Sequence, residues 1–333
     1  MADDAVTGGW STIESDEGLF TSLIEQLGVK DVQVEELFSL NADWIRALSP
    51  VYGVIFLFKW IGHGSENKEA PRDGTFDRAA AEDEGLFFAA QTIQNACGTQ
   101  AILSVVLNND QSVDASSSGG DESGARIDIG PGLRDFKEFT TGFDAGLRGE
   151  SLSNSEMIRT VHNSFAKSSP FADETIHDPR GGPPDDVFHF IAYTRYHGKL
   201  YELDGLQPYP ISHGDCTSEE FPDKIMSVLH RRISRYPENE IRFNLMVVCQ
   251  DQRIKWRELQ EPGLLEEEER KREKWDFENA LRRHNFVEFT GEVLKRVVKM
   301  KVYDGSYDLW VERAKQATEK RVKERLAKHA SAS

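Results

Sequence analysis

Residues 87–101 read Phe87-Phe88-Ala89-Ala90-Gln91-Thr92-Ile93-Gln94-Asn95-Ala96-Cys97-Gly98-Thr99-Gln100-Ala101, and their pattern changes part-way. The first half is an apolar approach. From Ala96 the apolar positions follow helical spacing, so a helix over Ala96–Leu107 is expected. Cys97 then falls at a helix N-terminus, where the macrodipole and unpaired N–H groups favour thiolate over thiol. A cysteine in such a place is also commonly a small buried hydrophobe, so this fragment alone does not decide the chemistry. Gln91 lies six residues upstream. If the short segment between them folds back, its amide comes beside the sulfur and can donate, with a backbone N–H, to a developing oxyanion.

A second stretch supplies a base. Val187–Arg195 and Lys199–Asp204 read as strands around a turn at His197-Gly198. A two- or four-residue turn pairs Tyr196 with Lys199 and sets Asp204 opposite Ile191, on the face that carries His189. His189 and Asp204 are then diagonal neighbours about 7–8 Å apart at the backbone, within reach of a carboxylate–imidazole hydrogen bond. A three-residue turn sends one of them to the opposite face. Nucleophile, base and orienter on separate elements follow the logic of a catalytic triad. His162, His177, His197, His213, His230 and His284 have no acidic partner at an interpretable spacing. Cys249 ends a buried strand and Cys216 lies in a loop, HGDCTSEE. There is no Walker loop, Rossmann fingerprint, HExxH or EF-hand motif, so neither cofactor nor metal is expected.

Around these stretches strands and helices interleave, which gives an α/β or α+β class. A helix is expected over Phe20–Leu27, with Gly28 just past its end, and a second helical stretch from near Val34. VYGVIFLFKW, Val51–Trp60, reads as a strand buried on both faces. Residues 61–84 read as an exposed loop, and 110–126, DQSVDASSSGGDESGAR, as a mobile low-complexity insertion. Helical signals return at 133–145 and 153–166, before an irregular Pro- and Gly-rich stretch at 168–186. A helix over 219–235 and a strand over Ile241–Cys249 follow.

Beyond Cys249 the chain turns to charged helix, and two domains are expected, 1–250 and 251–333. Glu258–Arg283 is dense in charges, with Trp275, Phe277 and Leu281 among them; Val287–Met300 adds Phe289, Val293, Leu294, Val297 and Val298. Such helices either pack on their own domain or form a docking surface. Of the formal charge of −17, residues 251–333 hold 20 Lys and Arg against 17 Asp and Glu, leaving 20 against 40 before them. An acidic domain of that kind repels nucleic acid and steers basic ligands, unless the charge serves only solubility. The acidic start has no signal-peptide core, and the longest apolar run is too short to span a bilayer, so no membrane partner is expected. Three cysteines without a CxxC pair point to a reducing compartment.

Gln91 and Cys97 within QTIQNACGTQA, His189 within FHFIAY and Asp204 within LYELDGL together resemble the active-site signature of the ubiquitin C-terminal hydrolase family. GWSTIESDEGLFTSLIEQLGV, VQVEELFSL and VYGVIFLFKW resemble the start of its long subgroup, and IRFNLMVV its last catalytic strand. RRHNFVEF, residues 282–289, resembles the helical extension of the proteasome-associated branch. The resemblance implies a papain-like α/β (α+β) fold, with a central sheet flanked by helices, a knotted backbone and an all-α C-terminal extension. It implies cleavage after the C-terminal glycine of ubiquitin, with Cys97 as nucleophile, His189 as base, Asp204 as orienter and Gln91 as oxyanion donor. It further implies a lid at 168–186, and ubiquitin and its conjugates as ligands. The implied partner of the C-terminal helices is a proteasomal ubiquitin-receptor subunit, in cytoplasm and nucleus. The rival readings are a chromatin-linked deubiquitinase of the same subgroup, a catalytically silent ubiquitin-binding scaffold and a papain-like amidase for small substrates. The insertion at 110–126 is longer than the subgroup leads one to expect.

Overall fold

A strand as apolar as Val51–Lys59 is stable only where both faces are covered. In the computed structural model, which describes residues 9–60, 70–82, 85–110, 126–166, 188–237 and 240–330, that strand lies inside a seven-stranded sheet. In chain order the elements are α1 (Glu17–Gln26), β1 (Val32–Glu36), α2 (Ala42–Ala47), β2 (Val51–Lys59), β3 (Thr75–Phe76) and α3 (Arg78–Ala81). Then come α4 (Cys97–Asn108), α5 (Gly130–Phe139), α6 (Ala145–Asn154), α7 (Glu156–Ser164), β4 (Phe188–Tyr196), β5 (Lys199–Leu203) and β6 (Ile211–Asp215). The chain continues through α8 (Phe221–Ile233), β7 (Asn244–Gln250), α9 (Gln252–Glu258), α10 (Pro262–Arg283), α11 (Val287–Tyr303) and α12 (Tyr307–Ala330).

The sheet order is β1-β7-β2-β4-β5-β6-β3, and every neighbouring pair is antiparallel. Alternation along the strands, shifted in β2 by an irregularity between Val51 and Gly53, sorts the core into two layers. Tyr52 and Ile55 of β2 join Phe20, Leu23, Ile102 and Val106 of α1 and α4 in one layer. Val54, Phe56 and Phe58 join Ile191, Tyr193 and the Ile225 and Leu229 of α8 in the other. The sheet is thereby closed by α1 and α4 on one side and by α8 on the other.

Two expectations need correction. The stretch from Val34 is strand, not helix: Val32 and Val34 are buried in the α1 layer, the Val34 N–H donates to Thr21 Oγ1 at 2.9 Å, and β1 pairs with β7. β6 replaces an expected gap in regular structure, and short pieces of strand and helix occur within 61–84. By packing, the described residues up to Arg283 form one compact unit, and those from His284 another. Composition changes at Cys249 because an apolar strand ends there, but the packing continues. Trp275 is 3% exposed and packs so closely on α1 that a Cβ on Gly18 would overlap its side chain. Asn279 Nδ2 donates to Ser22 Oγ at 2.8 Å, Arg272 pairs with Asp251 and Glu25 at 3.0 Å each, and Arg282 pairs with Asp16 at 2.7 Å. The insertion, over 111–125, and the segment read as a lid, over 167–187, lie outside the described residues.

Trp275→Ala is expected to destabilise the first unit by about 3 kcal/mol, the usual size for loss of a large buried aromatic. Phe289 of α11 is 66% exposed, and Phe289→Ala should change stability by less than about 0.5 kcal/mol. Urea titration of both variants checks this, and equal costs would contradict the division at Arg283.

Candidate active site

α4 starts abruptly. A turn of 3-10 helix over Gln94–Ala96 leads into Cys97, and no side chain caps the helix start. Gly98 brings this first turn close to the sheet: a Cβ there would lie 3.0 Å from Phe20 and 3.4 Å from Phe190, the neighbour of His189.

The chain before α4 does fold back along the helix, held largely by side chains that satisfy its backbone. Asn108 accepts from Phe87 N at 2.7 Å and donates to Phe87 O at 2.9 Å, and Gln100 Nε2 donates to Ala89 O at 2.6 Å. From α6, buried Arg148 donates to Leu86 O at 2.6 Å and Ala145 O accepts from Ala90 N at 2.7 Å. The Gln91 N–H donates to Gly205 O at 2.8 Å, so its backbone lies beside the residue that follows Asp204. Gly205 has no space for a side chain, since a Cβ would overlap Gln100 Nε2 and lie 2.9 Å from Gln91 N.

The β4–β5 hairpin has the two-residue turn. His197 (φ 49°) and Gly198 (φ 71°) both take left-handed backbone, as a type I′ turn demands. Tyr196 pairs with Lys199 and Ala192 with Leu203, which sets Asp204, one residue past β5, opposite Ile191. His189 Nε2 and Asp204 Oδ1 are 2.7 Å apart, and both side chains are 4% exposed. The same oxygen accepts from Leu206 N at 2.9 Å, which fixes the carboxylate from its other side. With Nε2 engaged by Asp204, Nδ1 is the nitrogen left for a second partner, and Cys97 lies near enough to favour the protonated ring. Phe58, paired with His189 across β2 and β4, presents its ring at 85° with centroids 5.7 Å apart. Burial pushes the imidazole pKa down, but the Asp204 charge and hydrogen bond, with a smaller contribution from Cys97, raise it to about 9. The arrangement can hold a proton on a ring near a partly exposed thiol.

The other thiols are differently placed. Cys216 and Cys249 are buried, and burial raises both above the ordinary thiol range. His162 is a buried structural ring: Nδ1 accepts from Thr99 Oγ1 and Nε2 donates to Ser11 O, each at 2.7 Å. Burial lowers its pKa. The reading of His213 as lacking an acidic partner is corrected by Glu202, whose Oε2 lies 3.3 Å from His213 Nε2. The pairing of β5 with β6 creates that contact, and polar Ser212-His213-Gly214 gave no strand signal to reveal it. Among the described residues no cluster of His, Cys, Asp and Glu is arranged to hold a metal, and no helix is long and apolar enough to cross a membrane.

Residues 10–234 match the family described as ubiquitin carboxyl-terminal hydrolase, family 1, and residues 261–302 match a second description, ubiquitin carboxyl-terminal hydrolases. The chain belongs to the ubiquitin carboxyl-terminal hydrolase family. It is 45% identical to ubiquitin carboxyl-terminal hydrolase 2 of Schizosaccharomyces pombe, over 94% of this chain and 99% of that one. It is 40% identical to ubiquitin carboxyl-terminal hydrolase BAP1 of Xenopus laevis, over 74% of this chain but only 35% of the relative. Among solved structures, Trichinella spiralis UCH37 bound to ubiquitin vinyl methyl ester aligns with a TM-score of 0.61 at 33% identity, covering 80% of this chain and 100% of that one. The protein is therefore a cysteine peptidase of the ubiquitin C-terminal hydrolase type, with the family's central sheet, flanking helices and C-terminal helical extension.

His189 also makes this hydrolase's stability depend on pH. Its pKa is raised from 6.5 to about 9, so its contribution is complete below pH 6.5 and is lost as pH rises through about 9. Urea titrations at pH 6, 8 and 10 should show that loss in the native protein and a much smaller one in Asp204→Asn. An identical pH dependence in both proteins would refute the assignment of the shift to Asp204.

Proposed function

We propose that Cys97, His189, Asp204 and Gln91 carry out the hydrolysis, on ubiquitin joined through its C-terminal glycine to an amine. The Cys97 sulfur attacks the glycine carbonyl, and the tetrahedral oxyanion takes hydrogen bonds from the Cys97 N–H and the Gln91 amide. As the C–N bond breaks, the His189 imidazolium gives its Nδ1 proton to the departing amine, leaving ubiquitin as a thioester on Cys97. Neutral His189 then takes a proton from water as its oxygen attacks the thioester. Collapse of that intermediate expels the sulfur to its imidazolium partner and releases ubiquitin as the free acid, which gives its remaining proton to solvent. Asp204 keeps Nε2 protonated and turned away, so that Nδ1 faces the sulfur, and it stabilises the ring whenever it is imidazolium. The observation that carries this reading is the 2.7 Å His189–Asp204 bond, with Cys97 near enough to the ring to favour its protonated form.

The address of the enzyme is proposed on separate grounds. In α11 and α12, Phe289 (66%), Leu294, Met300, Val302 and Leu309 are exposed, an apolar set of the kind that marks a protein-docking surface. We assign residues 284–333 to docking on a proteasomal ubiquitin-receptor subunit, and the enzyme to proteasomes of cytoplasm and nucleus. The match to the fission-yeast relative runs over 94% of this chain and takes in tail residues, which supports the tail-bearing reading. A silent ubiquitin-binding scaffold would have no use for a buried carboxylate–imidazole pair.

Cys97→Ala is expected to abolish turnover of a ubiquitin C-terminal fluorogenic amide and labelling by ubiquitin vinyl methyl ester, while Cys216→Ala retains both. Gln91→Ala should lower kcat about 100-fold with little change in KM, as loss of a transition-state donor does. Labelling of Cys216 with none at Cys97 would overturn the assignment. For the tail, pull-down of the receptor's adaptor domain should succeed with the full chain and fail with residues 1–283. Equal capture by both rules out docking through α11 and α12.

A further inference from the structure

The sheet face beneath α8 carries a second set of buried charges that the proposed reaction does not use. Strand register places Phe58, His189, Tyr193 and Glu202 on that face, with Asp204 two residues beyond Glu202. Glu202 is 4% exposed. Its Oε1 accepts from Arg232 Nη1 at 2.7 Å and its Oε2 faces His213 Nε2 at 3.3 Å. The Arg232 guanidinium carbon sits 4.4 Å from the Phe58 ring centroid, and the Tyr193 hydroxyl lies 3.4 Å from Arg232 Nη1. Phe58 thus meets a cation on its face and, at 85°, the His189 ring.

A buried ion pair is a poor source of stability, because desolvation offsets much of its attraction. An apolar pair of similar volume would serve the core as well, so this pair calls for a different explanation. Its geometry provides one. The ring quadrupole draws the guanidinium onto Phe58, and with the cation on one side, Phe58 has less freedom to tilt away from the imidazole. Glu202 in turn neutralises a cation whose field reaches Asp204. We propose that Glu202 and Arg232 are positioning residues of the hydrolase: Arg232 holds Phe58 against His189, and Glu202 balances the charge of Arg232 behind Asp204. The inference rests on His189 and Asp204 acting as base and orienter.

The charged and titratable groups around His189 are Asp204 after β5 and Cys97 on α4. Around the pair itself they include Arg232 on α8, Glu202 on β5, His213 on β6, Tyr193 on β4 and Tyr236 just after α8. Glu202→Gln leaves the Arg232 charge uncompensated near Asp204 and disfavours the imidazolium. Arg232→Met leaves the carboxylate in excess and favours it. With full-length protein and a ubiquitin C-terminal fluorogenic amide, the basic limb of kcat/KM should move down by about half a pH unit or more in Glu202→Gln and up by a similar amount in Arg232→Met. The double variant should return to near the native position. Arg232→Met should also lower kcat about 10-fold with KM nearly unchanged, since a small misplacement of a catalytic ring costs rate. Arg232→Lys should restore the limb and only part of the rate. A pair with a merely structural role would lower the melting temperature in every variant and leave the limb in place, and that result overturns the proposal. If Arg232→Met does not fold, near-isosteric Glu202→Gln decides alone: a limb at the native pH overturns it. If Asp204→Asn also leaves the limb unmoved, the reading of the site fails first; a limb that moves in Asp204→Asn but not in Glu202→Gln refutes this inference alone.

Discussion

The register between β4 and β5 is the constraint on which the site depends. Side chains alternate along a strand, so a slip of one residue would send Asp204 to the opposite face from His189 and separate Glu202 from Arg232. The turn at His197-Gly198 favours the observed register, because two consecutive left-handed residues allow no spare residue in the loop. The core also enforces it. Ile191, Tyr193 and Leu200 are buried in the α8 layer, and Ala192, Tyr201 and Leu203 in the other. Each large side chain turned out of its layer forfeits about 2 kcal/mol of burial, so a slipped hairpin cannot compete. The chemistry of this face is thus set by hydrophobic sorting that involves no catalytic group.

The other half of the site is held differently. Gln91 lies in neither helix nor strand, so no regular ladder satisfies the backbone around it. Asn108, Gln100 and Arg148, all buried, supply that ladder from side chains, and the Gly205 carbonyl completes it. An unpaired buried carbonyl or N–H costs about 1–3 kcal/mol, so each of these bonds also resists displacement of the segment. The peptide at Gly205 joins the two halves, since its oxygen holds Gln91 while the preceding residue holds His189. The placement of Gln91 relative to His189 is thus limited by one short turn rather than by the length of chain between them.

Local signals in the sequence were sufficient where one element carried the meaning. Periodicity located α4 and its start at Cys97, and turn chemistry gave the hairpin register and hence the His189–Asp204 bond. Reading failed where tertiary pairing decided the outcome. Val32 to Glu36 has helical neighbours and a weak pattern of its own, and becomes strand because β7 offers an open edge. β6 is short and polar, and exists through β5 and β3 on either side. With β6 unread, Glu202 had no visible partners, so the buried charges behind the site stayed hidden even though their residues were in view. No spacing rule links Arg232 to Phe58 across that distance in the chain.

The C-terminal segment shows why composition is a poor guide to where a packed unit ends. α10 is far denser in charge than α11, yet α10 belongs with the first unit. The difference lies in how well a single apolar residue of α10 is served, since Phe277 and Leu281 of the same helix stay exposed. Trp275 fills the space left by Gly18, while Arg272, Asn279 and Arg282 satisfy groups on α1 and at the end of β7. One aromatic in a shaped socket, surrounded by specific polar bonds, is enough to fix a helix whose surface is otherwise solvated. α11 has more apolar side chains and none of them is buried. A hydrophobic face is therefore not by itself an intramolecular contact. It becomes one only where the partner surface leaves a vacancy of matching shape, and among the described residues Gly18 provides such a vacancy for α10.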